Sequence, residues 1–396
     1  MIALTRHESG FKAGDRSRLS SNWLFTGAVL AGTLVSRVAL LGPPYFADGP
    51  AHVQGIAAGE LFIQPPGYFL FMALARWISA TGLSPAAAIS LLNVTLSLCG
   101  VFVFIRICER LLPGATGRLL AVCYAVMNVV WFSALVHSTY AAMTFWAPAI
   151  FFCIIQNKTR WFLVACGAWA VAGGFRPSDG AFLLPLLLVA GVRYTWRQRL
   201  LGAAIAASAS LVWWVPTAIH YGAAAGPIHA SFSQLAGVNR DVSMLRAGLT
   251  PRAFANALRF LAAVAASVNV LLPFALFQAW RSRSRRETKL LLAWVAPGSM
   301  FFLLIYMSDA PYIAYMAAAW LLLAGFFCLE LPRKRASALL ITYTVVSITQ
   351  MLALRPVAPA TFLRRVADAY VLEYSAWAVR NRYHKNLSDL ERVASE

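Results

Sequence analysis

PPYFADGPAHVQGIAAGELFIQPPGYFLFMALARW, running from Pro43 to Trp77, is the stretch on which the reading of this chain turns. It follows the first hydrophobic segment directly. It carries two Pro-Pro pairs, two carboxylates (Asp48 and Glu60) and His52, and then an apolar helical run too short to cross a bilayer. Holding an ionisable group near hydrocarbon is costly, so such a group marks function by default, and Asp48 is the first place to look for chemistry.

Nearly everything outside this stretch is apolar. Of 396 residues, 60% are hydrophobic and 12% charged, against about 25% charged in a soluble domain, which makes this an integral membrane protein. The net charge of +19 sits in short basic clusters between hydrophobic runs; these are orientation signals and give no indication of a nucleic-acid partner. The six cysteines (Cys99, Cys108, Cys123, Cys153, Cys166 and Cys328) have no paired spacing and read as small buried apolar residues.

Hydropathy predicts an all-α polytopic membrane protein of about eleven spans, near 21–41, 84–105, 118–136, 139–156, 161–175, 179–192, 200–216, 257–280, 289–307, 311–330 and 336–354. A segment 1–20 precedes the membrane domain 21–354, and an amphipathic tail 355–396 follows it. In the tail Leu363, Val366, Tyr370, Tyr374 and Trp377 share one helical face. Charge decides whether Pro65–Ala80 is a twelfth span. Left out, with the N-terminus inside, it gives twenty Lys/Arg in the inner segments and six in the outer ones; counted as a span, it moves sixteen of the twenty outside. We therefore read it as a helix lying along the outer face, with Pro65-Pro66 in its first turn. The sizeable outer loops are then 42–83 and 217–256, and the joint GGFRPSDG between two short spans is predicted to be sunk inside the protein.

A first span, an outer loop with an early Asp, the run QPPGYFLFMALARWISATG and a span ending in the basic turn RICERLLPGATGR together resemble the type-C (GT-C) membrane glycosyltransferases. The likeness is to the bacterial group of lipid A galacturonosyltransferases, aminoarabinose transferases and protein O-mannosyltransferases. GGFRPSDGAFLLPLLL and SDAPYIAYMAAAWLLLAG are similar to two later stretches of that family. The chain departs from the pattern where many relatives have a second acidic residue, in the joint after the third span; here it reads SALVHSTYAAM, with His137 and no carboxylate. No large C-terminal soluble domain is expected in the residues after 354.

The resemblance implies a juxtamembrane helix in the loop after the first span, and transfer of a sugar from a polyprenyl-phosphate donor to a lipid, glycan or protein hydroxyl. It places the protein in the bacterial inner membrane with its site on the periplasmic face, and it implies inversion at the sugar. The residues suit such a reaction. A lipid phosphate leaves as a stable anion, so the site needs one base for the acceptor proton and cations for the phosphate. The outer carboxylates are Asp48, Glu60, Asp179, Asp241 and Asp309. Asp48 is assigned the base; capping of the helix that follows is the alternative reading, and the two are compatible. His52, His137, Glu60, Arg176 and Tyr312 are assigned to substrate binding, Arg176 as the phosphate ligand unless it serves only to pair with Asp179. Asp48 and His52 could also supply two ligands to a divalent metal, with no third placed by the sequence. Two other classes compete: a transporter or flippase of lipid-linked sugars, which calls for internal repeats that this sequence does not display, and an inactive GT-C-like scaffold.

Overall fold

The computed structural model describes residues 16–42, 44, 48–112, 114–238, 240, 243–306 and 310–353. Among them all regular structure is helical: α1 (Arg16–Val38), α2 (Gly49–Ala58), α3 (Phe69–Ser79), α4 (Pro85–Leu111), α5 (Ala115–Val126), α6 (Asn128–Leu135), α7 (Tyr140–Ile155), α8 (Thr159–Phe175), α9 (Pro177–Gly191), α10 (Trp196–His220), α11 (Gly226–Val238), α12 (Met244–Ala247), α13 (Pro251–Val268), α14 (Leu272–Arg281), α15 (Arg286–Leu304), α16 (Ala317–Cys328) and α17 (Arg333–Ala353). Among the described residues five stretches are long and apolar enough to cross a membrane, and a sixth is formed if the α5–α6 pair, bent by 42°, counts as one span. Each of the eleven expected segments coincides with one of these helices or with an end-to-end pair. The tail at 355–396, Asp241 and Asp309 lie outside the described residues.

Local signals set the helix ends. Pro85 opens α4 behind Ser84, whose hydroxyl accepts from Ala87 N at 3.3 Å. Thr195 and Gln198 form a reciprocal capping box on α10. Gly59, with φ +78°, ends α2 in the left-handed conformation while Glu60 N reaches back to Gly55 O at 2.7 Å.

The helices bury a large core and two smaller apolar clusters, built where small residues let backbones close up. A Cβ on Gly100 would lie 2.3 Å from Thr144 O, so α4 and α7 meet there backbone to backbone. Gly100→Ala is expected to cost about 1–3 kcal/mol through overpacking, read as a lower unfolding temperature of the purified protein. Five of the six cysteines are buried as expected, whereas Cys99 is exposed on α4.

The juxtamembrane helix α3 is shorter than expected. It starts at Phe69, so Pro65-Pro66 precede the helix and do not form its first turn. The reason is Gly67, whose φ of +93° no α-helix accommodates. Phe71, Met72 and Ala75 are fully buried, while Trp77 is 69% exposed; Arg76 Nη1 donates to Gly59 O at 2.8 Å, tying α3 to the end of α2. At eleven residues α3 cannot cross a bilayer. Cysteines at Ala57 and Thr81, both exposed, should therefore react with an impermeant maleimide from the same side of the membrane. Reaction from opposite sides would make Phe69–Ser79 part of a span. Gly49 is no place for such a probe, because its Cβ would sit 3.3 Å from the His137 side chain.

Candidate functional site

Four segments converge at one end of the bundle: α2 with the chain leading to α3, the 136–139 joint between α6 and α7, the α8–α9 joint, and the 3-10 turn Ala310–Met316. The second joint is held by Asn93, deep in α4, whose amide donates to Val136 O at 2.7 Å and Ser138 O at 3.0 Å. The third is a single residue. α8 runs to Phe175 and α9 starts at Pro177, leaving Arg176 as the hinge between them, 5% exposed. The joint is thus buried inside the protein, with Gly174 close against Leu70 of α3 and the Trp213 ring of α10, and Gly180 against Gly173.

Arg176 is the centre of the cluster. Its Nη1 donates to Thr139 Oγ1 at 2.9 Å. Its Nε lies 3.0 Å from Asp179 Oδ1, an ion pair with both partners buried. Three tyrosine rings surround the guanidinium, with centroids at 4.4 Å (Tyr140), 4.9 Å (Tyr312) and 5.9 Å (Tyr68). Tyr312, singled out from the sequence, is one of these. Tyr68, Tyr140 and Thr139 were missed, although the mid-span Asn93 and the Thr-Tyr pair following His137-Ser138 were visible as polar breaks in apolar runs.

Asp48 stands immediately before α2 and accepts His52 N at 2.9 Å through its backbone carbonyl. Its carboxylate makes no capping hydrogen bond, so at this position it is not tied into the helix start. The Asp48 carboxylate and the Arg176 guanidinium both act electrostatically on the Tyr68 hydroxyl, which burial above all holds above its usual range and therefore protonated.

His52 is fully buried one turn on, beside Tyr68 and Phe71 (centroids 5.7 and 6.1 Å), and neither ring nitrogen has a hydrogen-bond partner. Burial lowers its pKa to about 4; the backbone of His137 opposes this and Arg176 adds to it. His137 shares Nε2 with Ser90 Oγ at 3.0 Å and has Nδ1 free. Its pKa is also lowered to about 4, by burial first, with His52 pushing the same way. Both imidazoles are neutral at neutral pH. Unfolding would restore values near 6.5, so the unfolded chain takes up two protons that the folded one refuses. Stability is therefore expected to be full above pH 6.5 and to fall steadily toward pH 4. Unfolding temperature against pH in a fixed micelle checks this, and His52→Phe should flatten the fall.

Glu60 is exposed just beyond the C-terminus of α2, its backbone N–H bonded back to Gly55 O at 2.7 Å. Loop 217–256 contains α11 and α12, and Phe62 of the first loop stacks on His220 at 4.3 Å, so the two loops touch. Among the described residues no three His, Cys, Asp or Glu side chains gather as a metal site.

This arrangement, a helical bundle with a juxtamembrane helix after its first span and a polar cluster under the following loops, is the fold of the type-C membrane glycosyltransferases. The chain is similar to the crystal structure of ArnT from Cupriavidus metallidurans bound to undecaprenyl phosphate: TM-score 0.62, 15% identity, over 93% of this chain and 78% of that one. It is also similar to the same protein in the apo state, with TM-score 0.58, 16% identity, and coverage of 93% and 76%. At these identities the likeness is one of fold. No family model and no curated protein matches the sequence.

Proposed function

We propose that the protein is a glycosyltransferase that moves a sugar from a polyprenyl-phosphate donor to a hydroxyl acceptor on the outer face of a bacterial inner membrane, with Asp48 as general base and all eleven segments crossing the bilayer. Asp48 removes the acceptor proton as the acceptor oxygen attacks the anomeric carbon. The bond from that carbon to the phosphate oxygen breaks, and the polyprenyl phosphate departs with the electron pair. A single displacement of this kind inverts the anomeric centre. Neutral His52, with one ring nitrogen able to donate and the other to accept, is suited to orienting the acceptor hydroxyl. The Arg176 cage supplies fixed positive charge for the phosphate.

One observation carries the reading. A carboxylate with no capping bond and a buried, aromatically caged arginine both act on the Tyr68 hydroxyl, on a fold whose solved relative binds undecaprenyl phosphate. The scaffold alternative draws on the same cluster, because Asp179 already neutralises Arg176 and the 136–139 joint has no carboxylate. The discriminating experiment uses purified protein in nanodiscs with a panel of polyprenyl-phosphate hexoses and pentoses. Release of polyprenyl phosphate dependent on acceptor supports the transferase. Donor binding without release would leave the scaffold, and movement of intact donor between leaflets would indicate a flippase.

A further inference from the structure

At the opposite end of the bundle from the cluster, three joints meet: Gln156–Lys158 after α7, Val192–Thr195 after α9, and Ser282–Arg285 after α14. The helices α8 and α9 join the two ends, and their 17 and 15 residues put this second place roughly 25 Å from Arg176. Here Arg193 Nη1 and Arg286 Nη1 both donate to one atom, the side-chain oxygen of Asn157, the latter at 2.8 Å. Asn157 itself is set in a left-handed conformation, φ 57°.

Two guanidinium groups brought to one neutral oxygen repel each other, and a neutral amide does not offset that repulsion. Neither makes a direct ion pair with a carboxylate among the described residues; Glu287, next along α15, attracts Arg286 electrostatically without pairing with it, against the repulsion from Arg193. Arg286 Nη2 is buried without any hydrogen-bond partner. The neighbouring Arg199 is already engaged, with Nε on Tyr194 O at 2.8 Å and Nη2 on Val192 O at 2.7 Å. The unmet demand is thus confined to Arg193 and Arg286, and a phosphate, which takes paired N–H donors, meets it.

Exposed apolar side chains stand on the two helices either side of Arg193. Leu188 and Val192, one turn apart, are 63% and 72% exposed, and Trp196 and Leu200, one turn apart on α10, are 65% and 57% exposed. An apolar surface running from a spanning helix to an arginine pair at its end matches a lipid with an anionic head and two acyl chains.

We propose that Arg193, Arg286 and Asn157 form a binding site for the phosphate of an anionic phospholipid, whose chains lie against the exposed Leu188 and Val192 at the end of α9 and Trp196 and Leu200 of α10. The site is independent of the transferase reading, since it rests on none of the residues around Arg176.

The test measures unfolding temperature of purified protein in nanodiscs of phosphatidylcholine alone or mixed with phosphatidylglycerol. Phosphatidylglycerol is expected to raise it by a few degrees. Arg193→Gln with Arg286→Gln should abolish the gain. Arg283→Gln with Arg285→Gln, which removes the same charge from exposed neighbours, should keep it. Loss of the gain in both double variants would reduce the effect to diffuse attraction and overturn the site, as would its survival in the first. An equal rise with inorganic phosphate at matched ionic strength would make the ligand a free anion and overturn the lipid assignment. Should the first double variant not fold, photoactivatable phosphatidylglycerol on the unaltered protein decides: crosslinks concentrated in 188–201 support the site, and crosslinks spread evenly over the helices overturn it.

Discussion

Asp48→Asn is expected to lower sugar transfer by a factor of roughly 10² to 10⁴ while leaving insertion and unfolding temperature close to those of the parent. The asparagine keeps the size of the side chain and loses only the ability to take a proton. Because the Asp48 carboxylate makes no capping bond to α2, there is little structural contribution to forfeit, and any large change in turnover reports on chemistry. Asp48→Glu should recover little, since one added methylene moves the carboxylate by about the distance over which reacting groups must be placed. Donor binding should persist in both variants. Initial rates with saturating donor, alongside donor affinity measured separately, check the expectation. A transferring Asn variant at near parental rate would remove Asp48 from the mechanism.

The second large effect lies at Arg176, and here the structure changes what the sequence suggests. On the sequence, Arg176→Ala reads as a loss of donor grip with modest harm to folding. The ion pair to Asp179, with both partners buried, makes it a folding defect as well. Removing the guanidinium leaves an uncompensated carboxylate in the core, at about 3–5 kcal/mol. The single variant is therefore expected to express poorly. Replacing both charges, as Arg176→Met with Asp179→Leu, removes the stranded carboxylate and should restore most of the unfolding temperature. If Arg176 holds the donor phosphate, that stable double variant still fails to bind a polyprenyl-phosphate sugar. Arg176→Lys should bind weakly, because an ammonium lacks the planar fork that Tyr140 and Tyr312 flank. Parental donor affinity in the double variant would assign Arg176 a purely architectural role.

Several features of the site were legible because they depend on local chemistry. Asp48 and His52 are four apart and meet the same turn in the structure through the His52 N to Asp48 O bond. Arg176 drew notice as a charge among apolar residues, which is expensive enough to be visible in one dimension. Glu60 drew notice on the same ground, yet its exposure at the end of α2 makes a charge there inexpensive, which is why type alone misleads. The cage around Arg176 was not legible. Tyr68, Tyr140 and Tyr312 come from segments 72 and 172 residues apart along the chain, and each lies in an aromatic-rich run where membrane packing is the ordinary explanation. The start of α3 was misjudged because Pro-Pro suits a helix's first turn, whereas the φ of Gly67 is a property of the folded loop.

The sequence by itself determined the class of the molecule and where its helices fall, because the length and apolarity of a run are properties of composition and order alone. It also determined that Pro65–Ala80 holds no full span. Only the tertiary structure decided which polar residues come together. Arg176 meets Thr139, Asp179 and three tyrosines because Gly173, Gly174 and Gly180 let α8, α9, α3 and α10 close around a one-residue joint. Likewise Arg193 and Arg286, 93 residues apart, meet on Asn157 only once α7, α9 and α15 are side by side. Such meetings depend on backbone approach distances between helices, which no periodicity along a single helix encodes.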